Sequence, residues 1–334
     1  MADLTGMMQA AAGSAGGGGD GSYIAAVHGL FATPYFTLLD HTTPGTVSLS
    51  ATYNLGTLGK GTDFSPSGDY IAAASEGAIV ALLNHTTPGT VSISATYNVG
   101  GPANAVNFSP AGDYIACGYS DSSPFFVLLD HTTPGSLSLA ATYTLTGSGT
   151  GVSFSSSGDY IAVSSQTSPF FTLLNHTTPG TVSLATTYVG AFTGRATSFS
   201  PNDNYIGVSF DNVFTLLNHS AGSVSLATTY TVSGDCIGLS FSPSGDYIAL
   251  GHSGSPHFTL LNHTTPGTVS LAATYTLSGA GRGTAFSPLG GYIAVAVNST
   301  PYFTLLDHTT PGTVSLAATY TLSSPARDVA FSPN

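Results

Sequence analysis

The sequence predicts an all-β fold: a seven-bladed β-propeller of four-stranded antiparallel blades, closed by the C-terminal strand, which completes the first blade. The first observation behind this prediction is an internal repeat. The tripeptide Tyr-Ile-Ala, which reads Tyr-Ile-Gly in one copy, begins at Tyr23, Tyr70, Tyr114, Tyr160, Tyr205, Tyr247 and Tyr292. Successive copies are 47, 44, 46, 45, 42 and 45 residues apart, and four-stranded propeller blades repeat about every 40 to 50 residues. The other two observations are the strand pattern within each repeat and the half-repeats at the two ends.

Each repeat contains four β-type segments separated by turn signals, as the third repeat illustrates. Its predicted strands are 105–109, 114–118, 125–129 and 137–145. The turn at 110–113 has the Pro and Gly residues of a tight reversal, and the pair Pro134-Gly135 suits a type II turn. The third segment is apolar throughout, which is typical of a blade that a neighbour covers on each face.

The two ends of the chain are complementary. Residues 326–334 read as the first strand of a repeat with no second strand after it, whereas residues 21–25 begin at a second strand without a first. Joined, they would rebuild the motif found at 64–72. The last strand is therefore predicted to complete the first blade, which removes the open sheet edges of an unclosed array. An open solenoid is the alternative, but it would need atypical capping repeats.

Composition argues against several classes of partner. Charged residues make up 6% of the chain, against about 25% in ordinary domains, so the surface is mostly uncharged. The 16 acidic and 4 basic residues give a net charge of -12, which disfavours nucleic acid and anionic membranes. The apolar runs are too short to cross a bilayer, so membrane insertion is not expected. Cys117 and Cys236 lie in different repeats and indicate no disulfide framework.

Residues 1–18 predict a short helical or flexible anchor ahead of a propeller in residues 19–334. Leu4, Met7 and Met8 recur at helical spacing, and the glycines at 16–19 interrupt that pattern. The segment lacks the positively charged start of a secretory signal. We therefore expect no export by the general secretory pathway.

The repeat pattern resembles the WD-repeat propellers and the related Tyr-Val-Thr-Asn-type propeller repeats. It departs from their signature because the chain has no Trp and its third strands end in Leu-Asp or Leu-Asn, as at Leu39-Asp40 and Leu83-Asn84. The leader at 1–12 resembles the start of structural proteins of marine tailed bacteriophages. That resemblance implies a virion component whose N-terminus docks on other virion proteins and whose C-terminal module faces outward.

Two sets of repeated polar residues are candidate sites. One is the histidines that follow the third strands, His41, His85, His131, His176, His219, His263 and His308; the other is the turn aspartates Asp69, Asp113, Asp159 and Asp246. Equivalent positions in successive blades are rotated apart, so the histidines do not converge on one ion, and both sets are expected to bond turn backbone. The sequence predicts no catalytic residue, no metal site and no cofactor.

A binding face is predicted where the basic residues and the variable loops coincide. All four basic residues, Lys60, Arg195, Arg282 and Arg327, precede or enter first strands. The loops between second and third strands vary most, and Asp121 and Asp211 lie in them; in a propeller both kinds of connection share one face. Arg282 and Arg327 enter adjacent blades, so an anion or acidic partner could meet both. Solvation of loop residues is the alternative reading.

The function predicted at this point is a non-enzymatic structural or adhesion protein on the exterior of a tailed phage particle. It would be assembled in the host cytoplasm, with a host-surface glycan or protein as a further partner. The alternative is a multivalent glycan-binding lectin that serves in host attachment, with equivalent pockets between blades. A propeller hydrolase ranks third, because no catalytic group stands out among the repeats.

Overall fold

The computed structural model describes residues 20–29, 32–190 and 192–334, so the anchor predicted in residues 1–18, with Leu4, Met7 and Met8, lies outside the described residues. Seven four-stranded antiparallel sheets form a ring, which confirms the predicted fold. The innermost strands are β4 (Gly59–Phe64), β8 (Ala103–Phe108), β12 (Gly149–Phe154), β16 (Gly194–Phe199), β20 (Cys236–Phe241), β24 (Gly281–Phe286) and β28 (Ala326–Phe331). The second strands are β1 (Tyr23–His28), β5 (Tyr70–Ser75), β9 (Tyr114–Tyr119), β13 (Tyr160–Ser165), β17 (Tyr205–Phe210), β21 (Tyr247–His252) and β25 (Tyr292–Val297).

The two outer positions of each sheet complete the blades. The third strands are β2 (Tyr35–Asp40), β6 (Ile79–Asn84), β10 (Phe125–Asp130), β14 (Phe170–Asn175), β18 (Val213–Ser220), β22 (His257–Asn262) and β26 (Tyr302–Asp307). The outermost strands are β3 (Ser48–Asn54), β7 (Ser92–Asn98), β11 (Ser138–Thr144), β15 (Ser183–Val189), β19 (Ser223–Thr231), β23 (Ser270–Thr276) and β27 (Ser315–Thr321). The first blade is β28-β1-β2-β3, and blades two to seven follow in chain order from β4. In the part of the chain that the structure describes, no helix is long and apolar enough to cross a membrane.

The ring closes through β28, as the sequence predicts. Ile24 pairs with Phe331 and Ala25 with Ala330 across the antiparallel β1–β28 ladder. The Tyr23 amide donates to Ser332 Oγ at 3.0 Å, which reproduces the bond from the Tyr70 amide to Ser65 Oγ inside the chain. The first blade therefore has the same turn chemistry as the others, although its innermost strand comes from the opposite end of the chain.

Blades bury both faces against their neighbours. Ala72 and Leu82 of the second blade pack with Ile115 of the third in one apolar cluster, while Ile71 packs with Leu38 of the first blade in another. The alternate side chains of one strand thus enter two different interfaces, because a strand points successive side chains to opposite faces. This accounts for the continuous apolar runs in the second and third strands.

Each of the seven histidines that follow a third strand packs edge-on against a tyrosine of the preceding blade. His85 is buried and stands edge-on to Tyr23 of the preceding blade, with ring centres 5.0 Å apart. Its Nδ1 donates to the Gly68 carbonyl at 2.8 Å, and its Nε2 accepts from the Gly89 amide at 3.3 Å. Since a carbonyl only accepts, Nδ1 carries the proton. The imidazole therefore ties two turns of its own blade together and packs on the neighbouring blade.

One joint between blades uses a different contact from the rest. In six joints a turn glycine lies against a proline of the preceding blade, as Gly112 lies against Pro66. Between the fourth and fifth blades the pair is Ser156 and Asp203 instead. The Asp203 carboxylate accepts the amide hydrogens of Ser156 and Ser157 at 2.6 and 3.0 Å. A proline at position 156 would have no amide to donate, so the two exceptions occur together for a chemical reason.

This joint gives a stability prediction. The substitution Ser156→Pro should lower the free energy of unfolding by about 1–2 kcal/mol, because the Asp203 carboxylate loses a donor. Adding Asp203→Gly should recover most of that loss, since the joint then matches the other six. Chemical denaturation of the two single variants and the double variant measures the coupling. Additive losses would show that the two residues do not depend on each other.

Candidate functional site

The innermost strands surround a central cavity of about 1020 Å³ on the axis of the ring. Each of these strands has a register shift after its first residue, as between Gly59 and Gly61 of β4 and between Ala103 and Ala105 of β8. A β-bulge redirects the side chain of its extra residue. The second residue of each innermost strand consequently lies at the cavity, and these residues are Lys60, Asn104, Thr150, Arg195, Ile237, Arg282 and Arg327.

The structure thus brings all four basic residues to one level of the cavity wall. Arg282, Arg327 and Lys60 lie in the seventh, first and second blades, which are consecutive in the ring. Arg195 lies apart from them in the fifth blade. The cations therefore form an arc of three on one side of the cavity, with a single arginine across from it.

Two of the four cations are neutralised by nearby acids. Lys60 Nζ lies 2.8 Å from Glu76 and donates to Asn104 Oδ1 at 3.1 Å. Arg195 reaches Asp211 at 3.1 Å and Asp235 at 2.9 Å. Glu76 and Asp211 belong to the two blades whose loops between second and third strands lack the proline present in the other five. Each of these two short hairpins begins with an acid that pairs with a cavity cation.

Arg282 and Arg327 have no carboxylate within 4.0 Å among the residues that the structure describes. The Nε atom of each is buried without a hydrogen-bond partner. Burial, and then the charge of Arg327, lower the pKa of Arg282 to about 10, and burial lowers the pKa of Arg327. Both guanidinium groups stay cationic at neutral pH, and they are left partly desolvated beside each other.

Two carboxyl groups line the same side of the cavity. Asp63 accepts hydrogen bonds from Asn107 Nδ2 and the Phe108 amide, both at 2.8 Å. Asp328 accepts from the Thr62 amide at 3.0 Å. They lie in adjacent blades, on β4 and β28, and the cavity is bounded by both.

Both carboxyls resist ionisation. Burial raises the pKa of Asp63 to about 7, against the lowering effect of its hydrogen bonds to Phe108, Phe64 and Asn107. Burial also raises the pKa of Asp328 to about 7, and the negative charge of Asp63 adds to this rise. A carboxyl whose pKa lies near the working pH can accept a proton in one step and return it in another. The pair has the properties of an acid–base site.

The sequence analysis missed both carboxyls, although a signal was present. At the position of Asp328 the other six repeats have only glycine or alanine: Gly61, Ala105, Gly151, Ala196, Gly238 and Gly283. At the position of Asp63 they have Asn107, Ser153, Ser198, Ser240, Ala285 and Ala330. Asp328 is thus the single departure from small residues at its position, and Asp63 is the single acid at a position that varies among the repeats; aligning the repeats by strand would have found both.

The remaining predicted site residues are separate from this cluster. Asp211 serves as the partner of Arg195, and Asp121 is exposed in the loop of the third blade with a φ of 70°. Within residues 20–29, 32–190 and 192–334, no group of three or more His, Cys, Asp or Glu side chains is placed to hold a metal ion. Arginine side chains at the cavity can bind anions, and aspartate carboxyls can accept and donate protons.

Many solved protein structures resemble the fold of this chain. No protein-family model matches the chain, and the search of curated proteins found no relative. A candidate 6-phosphogluconolactonase from Bacteroides uniformis superimposes with a TM-score of 0.79 at 13% identity, over 93% of this chain and 99% of its own. The periplasmic gluconolactonase of Pseudomonas aeruginosa gives 0.77 at 14% identity, over 93% and 98%. The β-propeller domain of a Myceliophteria thermophila protein gives 0.67 at 13%, over 85% and 92%.

These comparisons correct one prediction. The sequence analysis expected a protein that is not an enzyme, and this is contradicted, because similar structures are named as lactonases, which are hydrolases. That expectation rested on the lack of a catalytic motif and on departures from the repeat that are small and scattered along the sequence. At these identities the likeness itself shows the propeller fold.

Proposed function

We propose that the protein is a hydrolase-like propeller that opens a small cyclic ester in its central cavity. The observation that carries the proposal is the pair Asp63 and Asp328, two carboxyls with a pKa of about 7 on adjacent innermost strands at the cavity. The substrate class is taken from the similar structures that are named as lactonases. A volume of about 1020 Å³ has room for a molecule of sugar size.

The reaction follows from the two protonation states of the pair. The ionised carboxyl takes a proton from water while the water oxygen bonds to the carbonyl carbon of the ester. The bond from that carbon to the ring oxygen then breaks, and the protonated carboxyl gives its proton to the ring oxygen. One water is consumed, a hydroxy acid is formed, and the pair is left with one proton as before. Two carboxyls that share a site hold one proton between them over a range of pH.

The test is hydrolysis by the purified full-length protein. Glucono-δ-lactone and its 6-phosphate are offered separately, and release of acid is followed with the spontaneous rate subtracted. We expect catalysed opening of at least one of the two. Asp121→Asn is the matched control, because it removes an exposed carboxylate of the loop face and should leave the rate unchanged. Rates equal to the spontaneous ones for a range of lactones would refute the proposal.

We further propose the location that the N-terminal leader predicts. The protein would sit on the exterior of a phage particle, attached to other virion proteins through residues 1–18, and a host-surface glycan or protein would be its further partner. Deleting residues 1–19 should then abolish incorporation into particles and leave the ring folded. Particles that still incorporate the truncated protein would contradict the anchoring. The lectin alternative stays a prediction, tested by saturable glycan binding that free sugar competes.

A further inference from the structure

We infer that Arg282 and Arg327 form a binding site for one oxyanionic group, a carboxylate or a phosphate, of a small molecule in the central cavity. The site is built from equivalent residues of adjacent innermost strands, each placed at the cavity by its β-bulge. Assigning the anion to the substrate rests on the proposed function, whereas the binding site itself does not.

The four cavity cations differ in whether an acid of this chain pairs with them. Lys60 and Arg195 occupy the same position in their strands, and acids of this chain lie within 3.1 Å of both. No carboxylate of the described residues comes within 4.0 Å of Arg282 or Arg327. Among the described residues, two of the cavity cations are therefore held in ion pairs with acids, and the two adjacent arginines are not.

Arg282 and Arg327 are in an unfavourable electrostatic environment when no anion is bound between them. Two partly buried like charges on neighbouring strands repel each other, and each has a buried Nε without a hydrogen-bond partner. Arg195 also has such an Nε, but two carboxylates lie beside its guanidinium group. Leaving buried polar groups unsatisfied destabilises the folded state. An oxyanion between the two guanidinium groups would supply acceptors and counter-charge together, since guanidinium binds carboxylate and phosphate oxygens with paired donors.

Glu76 lies close enough to favour the charged form of Arg327, but its carboxylate is bonded to Lys60. Lys60 is therefore already paired with an acid. The two guanidinium groups of Arg282 and Arg327 can still bind an anion, and together they suit a single anionic group. Asp63 and Asp328 lie on the same side of the cavity. An anion held by the arginines would therefore keep the neutral remainder of its molecule beside the acid pair.

The test is titration of the full-length protein with inorganic phosphate and, separately, with acetate, by calorimetry in buffer of low ionic strength. We expect saturable binding of at least one of them, and the tighter of the two identifies the class of oxyanion. Arg282→Ala and Arg327→Ala should each weaken it about tenfold or more, since hydrogen bonds to charged groups are lost. Arg195→Ala is the matched control, because its two acids already occupy that arginine, and it should change binding by less than about twofold.

Two further variants separate this inference from the proposed function. Glu76→Gln should tighten binding about two- to fivefold, because a competing negative charge near Arg327 is removed. Asp63→Asn should leave phosphate binding as tight or tighter, even if it abolishes hydrolysis. Binding without hydrolysis by the wild-type protein would refute only the proposed function. Absence of saturable binding of both anions, or equal weakening by Arg195→Ala, would overturn the anion site whatever the hydrolysis assay shows.

Discussion

Replacing Asp63 or Asp328 by Asn should lower kcat for lactone opening by about 10²- to 10⁴-fold, the usual contribution of a positioned acid or base. Asparagine keeps the size of the side chain and an oxygen acceptor for the Thr62 or Phe108 amide, so the ring should stay folded. It cannot take or give the proton. KM should change little, because the anion is held by the two arginines. A fall in kcat of less than about threefold in both variants would exclude proton transfer by this pair.

The pH dependence of the wild-type enzyme is an independent readout of the same pair. A pair that needs one ionised and one protonated carboxyl gives a bell-shaped rate profile. Because burial raises the pKa of each carboxyl to about 7, the maximum should lie near neutral pH and not near pH 4. A rate that stays level from pH 5 to pH 9 would contradict the assignment.

The Asn substitutions, which should lower activity, should raise the stability of the folded protein above neutral pH. The folded carboxyls titrate at about 7, whereas carboxyls of an unfolded chain titrate at about 4. Their contribution to stability is therefore complete below about pH 4 and is lost as the pH rises through about 7. At pH 8 each Asn variant should be more stable than the wild type by about 1–3 kcal/mol, and at pH 4 the difference should vanish. This result would also show that loss of activity is not loss of fold.

The ring could be predicted well because each repeat contains residues that mark a strand and the turns between strands. The seven copies of the tripeptide mark second strands, and Pro-Gly turns such as Pro134-Gly135 mark reversals, with Gly135 at a φ of 79° as a type II turn requires. The first strands were placed less well. The third repeat was predicted to begin at residue 105, whereas β8 begins at Ala103. Alternating polar and apolar residues mark a strand in the sequence. The bulge at Asn104 and the small residues around it interrupt this alternation at the start of β8.

The candidate site could be predicted only in part. The four basic residues were located by their shared position, and the adjacency of Arg282 and Arg327 followed from the ring. Their lack of partners did not, because pairing depends on loop geometry that brings Glu76 to Lys60 and Asp211 to Arg195. Asp63 and Asp328 are far apart in the sequence, and the predicted closure of the ring by the last strand places them in adjacent blades. The burial and hydrogen bonds that shift the pKa of each carboxyl could not be predicted, because they depend on how the innermost strands pack together.

Deleting residues 326–334 should abolish cooperative folding of the ring. The truncation removes β28, exposes the inner edge of β1, and takes Val329 and Phe331 out of an apolar cluster with Ala294 of the seventh blade. Burial of each large apolar side chain contributes about 1.5–3 kcal/mol, and the whole domain has a stability of about 5–15 kcal/mol. The exposed strand edge also promotes association. Circular dichroism, thermal unfolding and size-exclusion chromatography would report these losses.

A rearranged chain separates loss of the strand from loss of its connection. In this variant residues 326–334 are moved in front of Asp20 through a short Gly-Ser linker, and the chain ends at Pro325. The strand then enters the first blade from the N-terminal side. Its ladder to β1 and the hydrogen bond from the Thr62 amide to Asp328 should be unchanged, because the register depends on side chains and not on connectivity. We expect a folded ring with restored phosphate binding. A truncated protein that unfolds at the same temperature as the full chain, or a rearranged chain that fails to fold, would show that β28 does not close the ring in this way.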